Sequence, residues 1–337
     1  MKSIRSNLAI LLILLCACVS GRGDDAINPF VGNWGLTIPG GHAGWLGVEA
    51  HGNRIDAQML WGWGSVFKLD GARLDGDTLV LSRVHHVDGK KSGGTTPKIK
   101  VVETITATLD GDSLKLVTET PRTDGGGLDR AEFTGKRLPP MPPAPDLSKV
   151  KFGESVRLFN GDNLDGWRPV ESDAINGWSV RDGTLINTVV HEEGKPEKSY
   201  ANLRTVAEFA DFSLHAETCL PKEGNSGIYL RGIYEVQVFD SYLMPLDSHN
   251  MGAVYSRIKP TVNAEKPAGE WQTLDITFVK RHVTVVLNGT TIIDNQPVLG
   301  PTGGALWSDV ERPGPIYLQG DHTGIQYRNI VLRPVVD

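Results

Sequence analysis

Apolar and polar residues alternate over most of the chain, in short runs that end at Asp-Gly or Asn-Gly pairs. The alternation is clear in residues 98–109, and again in residues 274–278 and 283–287, which lead into Asn288-Gly289. A period of two places successive side chains on opposite faces of a β-strand, and Asn-Gly or Asp-Gly between two such runs favours a tight hairpin. We find no stretch with the 3.6-residue period of an amphipathic helix. The pattern therefore predicts an all-β protein.

A proline-rich stretch divides the chain. Residues 138–146 have the sequence Leu-Pro-Pro-Met-Pro-Pro-Ala-Pro-Asp, and a backbone of this composition is stiff and extended. We therefore predict a small β-barrel or sandwich domain over residues 26–137, a linker over residues 138–150, and a second domain over residues 151–337. The regularly spaced strands of the second domain are typical of a double-sheet jelly-roll sandwich.

The stretch over residues 224–242 combines strand patterning with a dense set of polar side chains. In a strand, odd and even positions lie on opposite faces. The odd positions carry polar side chains and the even positions carry mainly apolar ones: Tyr229, Arg231, Glu235 and Gln237 against Leu230, Tyr234, Val236 and Val238. We therefore predict one packed face and one polar face, and expect the polar face to bind a sugar on the inner sheet of the sandwich.

Composition and charge narrow the class of protein. The 337 residues are 39% hydrophobic and 22% charged, as in a folded globular protein, and the net charge of -6 argues against a nucleic-acid partner. Of the three cysteines, Cys16 and Cys18 lie near the N-terminus and Cys219 stands by itself, so neither a disulfide framework nor a zinc cluster is expected. We find no glycine-rich nucleotide loop between a strand and a helix, and therefore expect no oxidising cofactor.

The N-terminus has the features of an export signal over residues 1–21. Lys2 and Arg5 precede an apolar run over residues 8–15, which is too short to span a bilayer, and small residues follow. Leu15-Cys16-Ala17-Cys18 also resembles a bacterial lipobox, which would leave Cys18 as a lipid anchor; simple cleavage after the small residues is the alternative. Either way we expect an exported bacterial protein that is periplasmic, anchored to the outer membrane, or extracellular.

Tryptophan and histidine are concentrated in the first domain. Trp45, Trp61 and Trp63 would suit sugar stacking if exposed, but large aromatic side chains more often fill a core, and we favour the core interpretation. His85 and His86 are adjacent in a predicted strand and point to opposite faces, which argues against one shared metal site.

A set of short motifs runs in order through the second domain and covers nearly all of residues 155–334. These motifs are Leu158-Phe-Asn-Gly, Leu164-Asp-Gly-Trp167, Trp178-Ser-Val-Arg-Asp-Gly-Thr-Leu185, Asn225-Ser-Gly-Ile-Tyr-Leu-Arg231, Tyr234-Glu-Val-Gln-Val-Phe-Asp240, Gly252-Ala-Val-Tyr255, Gly269-Glu-Trp271, Gly314-Pro-Ile-Tyr-Leu-Gln319 and Tyr327-Arg-Asn-Ile330. With these motifs, the second domain resembles the 3-keto-disaccharide hydrolase domain family, also described as 3-keto-glucoside 1,2-lyase and 3-keto-2-hydroxy-glucal hydratase. The resemblance implies a concanavalin A-like sandwich that acts on oxidised glycosides. Where the family often has Gln-Asp-His-Gly, this chain has Gln319-Gly-Asp-His322, so an inserted residue leaves the placement of His322 open.

The chemistry that the resemblance implies begins at C2 of the sugar. A ketone at C3 acidifies the C2 proton, a general base removes it, the enolate is stabilised, and the aglycone leaves C1 before water adds. Glu235 is our first candidate for the acid or base, with Arg231 and Gln237 orienting it and holding sugar hydroxyls. The candidates for a second proton carrier are Asp240, His249 and His322. Lys259 and Tyr229 are candidates for stabilising the enolate, and Gln319 is a candidate for binding the substrate through its amide.

Several alternatives remain open at this point. Glu235 and Arg231 would also suit a cross-strand ion pair, and Lys259 and His249 would also suit solvated positions. A divalent metal ion held by Glu235, Asp240 and His249 would polarise the C3 ketone. A non-catalytic, glycan-binding lectin is the main competing function, and a glycosidase with two carboxylates is a third. An upstream sugar 3-oxidoreductase is the expected partner, because the oxidised glycoside must be supplied.

Overall fold

The computed structural model describes residues 28–88, 97–190, 192, 194, 196 and 198–336. The predicted export signal and the Cys18 anchor lie outside these residues. Strands account for the regular structure, apart from short 3-10 turns at Asn28–Phe30 and Leu147–Lys149. The all-β prediction is therefore confirmed. The part of the chain that the structure describes contains no helix with the length and apolar character needed to cross a bilayer.

The first unit is a nine-stranded antiparallel sheet with the order β4-β3-β2-β1-β9-β8-β7-β6-β5. Its strands are β1 Gly32–Thr37, β2 Ala43–His51, β3 Arg54–Leu60, β4 Phe67–Lys68, β5 Gly71–Asp75, β6 Thr78–Asp88, β7 Lys98–Asp110, β8 Ser113–Pro121 and β9 Leu128–Arg137. The segment before β5 joins the two ends of this order, because Leu69 N–H donates to Ala57 O in β3 and Asp70 N–H donates to Ser82 O in β6. The sheet thus curls around its own apolar core, which includes the fully buried Trp34.

The second unit is a sandwich of two sheets. Its strands are β10 Lys151–Phe152, β11 Val156–Arg157, β12 Trp167–Pro169, β13 Trp178–Arg181, β14 Thr184–Asn187, β15 Leu203–Thr205, β16 Phe212–Cys219, β17 Asn225–Leu230, β18 Tyr234–Phe239, β19 Gln272–Val279, β20 His282–Leu287, β21 Thr290–Pro297, β22 Tyr317–Leu318 and β23 Ile325–Val336. One sheet has the order β13-β14-β23-β16-β19-β20-β21, with β10 and β11 also pairing to β23, and the other has the order β12-β15-β22-β17-β18. Apolar side chains of both sheets form one core between them. The sandwich prediction is confirmed.

The hairpin of β17 and β18 follows the predicted separation of odd and even positions. Tyr229 pairs with Glu235 and Gly227 with Gln237, so these odd positions share one face. The even positions are buried in the sandwich core: Ile228, Leu230, Tyr234, Val236 and Val238. A strand face that is packed on one side and polar on the other can hold a site on a rigid support.

The proline-rich segment lies along the second unit rather than spanning free space. The Arg281 guanidinium donates to Pro139 O (3.0 Å) and Pro140 O (2.6 Å), and the Asn295 amide donates to Pro145 O (3.0 Å). These bonds satisfy carbonyl groups that proline-rich backbone leaves unpaired, and they fix the path of the chain between the two units.

The two units also meet directly around Trp45. Its indole ring is buried and belongs to the core of the second unit, and the Arg257 guanidinium lies 4.4 Å from the ring centroid. Arg257 also donates to Pro301 O through Nε (2.8 Å) and Nη2 (2.5 Å). Gly300 permits this packing, because a Cβ there would lie 2.2 Å from Trp45 Cδ1. The core prediction is thus confirmed for Trp45.

Candidate active site

A pocket of about 160 Å³ opens on the polar face of the β17–β18 hairpin. Such a volume exceeds many times the roughly 15 Å³ that a single water needs, and it suits one small ring. The residues around it come from the hairpin, from strand β22 and later loops of the second unit, and from the first unit: Asn225, Tyr229, Glu235, Gln237, Tyr255, Gly303, Gly304, Tyr317, Gln319, Asp321, His322, Trp63 and Gly64. The pocket is therefore built mainly by the second unit and completed at its edge by the first.

Glu235 is the buried acidic group of this pocket, with an exposed fraction of 3%. Its Oε2 lies 3.0 Å from Tyr229 Oη. With the Gln237 amide assigned the orientation that satisfies both its oxygen and its nitrogen, the nitrogen donates to Glu235 Oε1 (3.2 Å) and to Ser226 O (3.0 Å). Burial raises the pKa of Glu235 to about 8, because desolvation disfavours the charged form, and the nearby Asp321 charge acts in the same direction. A carboxyl group with this pKa can accept or donate a proton near neutral pH.

The hydroxyl proton of Tyr229 indicates which form of Glu235 the site favours. Tyr229 Oη lies 2.8 Å from Gly303 O as well as 3.0 Å from Glu235 Oε2, yet a phenol has only one proton to donate. A protonated Glu235 resolves this, because it donates to Tyr229 Oη while the hydroxyl donates to Gly303 O. Tyr229 is itself held by stacking on Tyr317, with ring centroids 4.2 Å apart and planes 10° apart. The neutral acid is thus part of a continuous hydrogen-bond chain.

Gln319 and His322, two further predicted site residues, also line the pocket. Gln319 Oε1 is buried and has no hydrogen-bond partner within the described structure, so it can accept a bond from a ligand hydroxyl. His322 Nδ1 lies 2.7 Å from Asp321 Oδ1, and its side chain is 44% exposed. A carboxylate that orients an imidazole at a pocket edge is suited to proton transfer.

Arg231 does not lie on the polar face as the alternation predicted. It occupies the turn between β17 and β18 with a φ of +56°, and this left-handed conformation turns its side chain out of the alternation. Its guanidinium donates to Arg312 O through Nε (3.0 Å) and Nη2 (2.5 Å). It forms no ion pair with Glu235 among the described residues, so it supports the turn and is not a clamp in the pocket.

Asp240, Lys259 and His249 are also absent from the pocket lining. Asp240 follows the last residue of β18 and accepts a bond from Glu223 N–H (2.8 Å). Lys259 is exposed. His249 lies at the junction of the units: its Nδ1 bonds Asp247 Oδ1, its Nε2 lies 2.8 Å from Ser65 Oγ, and its ring packs edge-on against Tyr255. This position supports a loop of the first unit beside the pocket.

The residues proposed above as metal ligands do not meet. Glu235 lies in the pocket with Tyr229 and Gln237, whereas Asp240 and His249 have the separate partners just described. Within the described parts of the chain, no group of three or more His, Cys, Asp or Glu side chains is arranged to hold a metal ion. The metal site considered as an alternative, with Glu235, Asp240 and His249 as its ligands, is therefore not assembled among the described residues.

Some pocket residues were not assigned to the site from the sequence. Asn225 and Tyr317 lie in the motifs quoted above, and Asn225 also shares the odd positions of β17, so both had a usable signal. Tyr255 reaches the pocket because the segment before it pairs with β18, and its N–H donates to Glu235 O (3.0 Å). Trp63 was considered for sugar stacking but expected in the core; it is 61% exposed, and its place depends on how the two units meet.

A family model described as the 3-keto-alpha-glucoside-1,2-lyase-like domain matches residues 154–333, more than half of the 337-residue chain. Among solved structures, a candidate glycosyl hydrolase from Parabacteroides distasonis is 30% identical, with 59% of this chain and 94% of that chain covered and a TM-score of 0.43. Another from the same organism is 20% identical, with 54% and 94% covered and a TM-score of 0.42. A Bacillus licheniformis β-glucanase is 13% identical, with 55% and 99% covered and a TM-score of 0.36. A comparison with curated proteins gives no match.

The family match spans both sheets of the sandwich and every pocket residue except Trp63 and Gly64. It confirms the resemblance drawn from the sequence motifs. The chain therefore belongs to the 3-keto-alpha-glucoside-1,2-lyase-like domain family of carbohydrate-active enzymes.

Proposed function

We propose that the protein cleaves 3-keto-glycosides by removing the C2 proton, eliminating the aglycone from C1 and adding water to the resulting glucal. The observation that carries this proposal is the buried carboxyl group of Glu235 in a ring-sized pocket, with a pKa raised to about 8. A carboxyl group is rarely kept in such a position unless its proton is used, since burial of its charged form is costly.

Glu235 is the proposed base. At pH 7 roughly one-tenth of it is ionised for a pKa near 8, and the ionised fraction is strongly basic for a carboxylate. It takes the C2 proton, and the electron pair of the C2–H bond forms the enolate with the C3 carbonyl. When Glu235 is ionised, the Tyr229 hydroxyl turns from Gly303 O to donate to the carboxylate, so the hydrogen-bond chain serves both protonation states.

His322 is the proposed acid. The C1–O bond breaks as the enolate re-forms the C3 carbonyl, and the leaving oxygen takes a proton from the imidazolium, which Asp321 orients at 2.7 Å. Gln319 Oε1, buried and without a protein partner among the described residues, accepts a bond from a sugar hydroxyl. Water then adds to the unsaturated sugar and completes a net hydrolysis.

A non-catalytic lectin is the competing function, because the same fold can bind sugars without chemistry. A binding site gains nothing from a carboxylic acid that titrates near pH 8, and this favours the enzyme. A glycosidase of the two-carboxylate type would use Asp321 with Glu235, but Asp321 is already hydrogen-bonded to His322.

The deciding experiment compares release of the aglycone from a 3-keto-glucoside and from its unoxidised parent. We expect turnover of the 3-keto substrate alone, with a bell-shaped dependence of kcat/KM on pH, because Glu235 must be ionised and His322 must carry the proton that it donates. Glu235→Gln should abolish turnover. Glu265→Gln is a matched control, because Glu265 is another carboxyl group whose pKa burial raises, to about 7, yet it bonds Ser241 outside the pocket. Binding of the parent without turnover of either compound would favour the lectin.

The proposed substrate also sets two further expectations. A sugar 3-oxidoreductase must act first, because the ketone at C3 has to be made before elimination can occur. We further propose export through the N-terminal segment, with lipidation at Cys18 as one form of it. Cell fractionation tests export, and incorporation of labelled fatty acid by the intact protein but not by Cys18→Ser tests lipidation.

A further inference from the structure

The pocket holds space for one ring, whereas a disaccharide has two. Its volume is about 160 Å³, and Trp63 of the first unit stands at its edge with an exposed fraction of 61%. Most tryptophan side chains in folded proteins are largely buried, so an indole ring left in solvent beside a pocket is unusual. A second ring of a substrate would have to lie outside the pocket, where this indole ring is.

Trp63 belongs to a loop that is fixed to the second unit. The loop spans residues 61–66, between β3 and β4. Val66 N–H donates to Ser256 Oγ (2.7 Å), Gly304 N–H donates to Gly62 O (3.1 Å), and Ser65 Oγ lies 2.8 Å from His249 Nε2. The His249 ring is in turn bonded to Asp247, whose pKa this bond lowers, so Asp247 remains a charged partner for the imidazole. Bonds on both sides of Trp63 hold it in place before any ligand binds.

Glycines bring the loop close to the catalytic groups. A Cβ on Gly303 would lie 2.2 Å from Gly64 O, and a Cβ on Gly304 would lie 2.7 Å from Tyr229 Oη and 3.7 Å from Trp63 Cζ3. The backbone of Gly303 and Gly304, which carries no side chains, therefore lies between the Trp63 indole ring and the Tyr229 hydroxyl that bonds Glu235. A sugar ring lying on Trp63 would be joined directly to a ring held over Glu235.

We propose that Trp63 is the binding platform for the leaving group, and that this leaving group is a pyranose ring. A pyranose has an apolar face of C–H groups that packs on an indole ring and an edge of hydroxyl groups that needs polar partners. The apolar surface is provided by the rings of Trp63 and His42, whose centroids are 5.4 Å apart. The polar partners are provided by the side chains of Ser65 and Tyr255, which lie at the same edge. The assignment to the leaving group rests on the proposed function, whereas stacking of a sugar ring on Trp63 does not.

The test compares two substrates in the full-length protein. One is a 3-keto-disaccharide with a glucosyl leaving group, and the other is the methyl 3-keto-glucoside, which has no second ring. We expect Trp63→Ala to raise KM for the disaccharide roughly tenfold and to leave the methyl glycoside within about twofold of wild type. Trp63→Phe, which keeps a smaller aromatic face, should be intermediate. Tyr242→Ala is the control, because Tyr242 is an exposed aromatic residue outside the pocket lining.

An equal rise in KM for both substrates in Trp63→Ala would overturn the proposal, because Trp63 would then only shape the pocket. No change for the disaccharide would overturn it as well. If the wild-type protein turns over neither 3-keto substrate, the proposed function fails, and calorimetric binding of the unoxidised disaccharide and methyl glucoside becomes the test. Tighter binding of the disaccharide that Trp63→Ala abolishes would still support the platform, and equal binding of both sugars by both proteins would refute it.

Discussion

Replacing Glu235 by glutamine should make the protein more stable as well as inactive. The change is nearly isosteric, and the glutamine amide can donate to Tyr229 Oη as the protonated acid does, while its oxygen still accepts from Gln237. What disappears is the cost of a buried negative charge when the acid ionises. The proposed catalytic carboxyl group is thus held at the expense of stability, as active-site groups often are.

The size of the expected gain in unfolding free energy follows from the pKa shift of Glu235, and it depends on pH. Burial raises the pKa of Glu235 from 4.5 to about 8. A carboxyl group whose pKa is raised in the folded state binds its proton more tightly there, so the folded protein is favoured fully below about pH 4.5 and loses this advantage as the pH rises through about 8. The wild type should therefore lose ~3 kcal/mol of unfolding free energy by pH 7 and ~5 kcal/mol by pH 9 through this group. The Glu235→Gln variant should not lose unfolding free energy in this way, because glutamine does not titrate.

Urea unfolding of the wild type and Glu235→Gln between pH 5 and pH 9 measures this difference. Because all other titrating groups are shared, the gap between the two curves isolates Glu235. Asp110→Asn is a useful contrast: Lys115 lowers the pKa of this exposed carboxylate, so its contribution is lost as the pH falls and has the opposite sign. Parallel curves for wild type and Glu235→Gln would show that Glu235 does not titrate with a raised pKa, and would remove the physical basis for its role as a base.

Other changes test the groups around this carboxyl. Gly304→Ala puts a Cβ 2.7 Å from Tyr229 Oη at a φ of +76°, so we expect kcat/KM to fall roughly tenfold or more and the unfolding free energy to fall by about 1 kcal/mol, measured by initial rates and urea unfolding. Tyr229→Phe removes the hydroxyl that lowers the pKa of the acid, so the apparent pKa that Glu235 contributes to the kcat/KM profile should move above 8. Arg257→Lys loses the paired bonds to Pro301 O and the contact with the Trp45 ring, and urea unfolding should show a loss of about 2 kcal/mol.

The polar face of the hairpin could be predicted because a strand's alternation is a local property. Tyr229 and Glu235 are six residues apart and end up directly opposite each other, since the turn between them keeps odd with odd. Asp240 lies just beyond the end of β18, where the alternation no longer applies, and it does not line the pocket. The family motifs added Gln319 and left His322 open, and both line the pocket. Short-range pattern and motif together thus predicted several of the residues that line the candidate site.

Arg231 shows where alternation stops. Its odd number placed it on the polar face, but Arg231 and Gly232 both have positive φ, and this pair of residues forms the turn. The glycine was visible in the sequence, while the left-handed arginine before it was not, because such a conformation is uncommon for a side-chain-bearing residue. Parity is valid only between the two ends of a strand, and those ends are set by backbone geometry that a local pattern does not encode.

Trp63 could not be placed from the sequence, for a different physical reason. The core interpretation that we favoured rests on average burial, and it holds for Trp45 and fails for Trp63, two residues of the same domain. What separates them is the contact between Gly64 and Gly303, which lie more than two hundred positions apart and have no side chains to form a pattern. Because that contact brings the 61–66 loop to the pocket, a site assigned to the second unit alone omits its outer wall. Selectivity for the leaving group should therefore depend on a residue that the family match does not include.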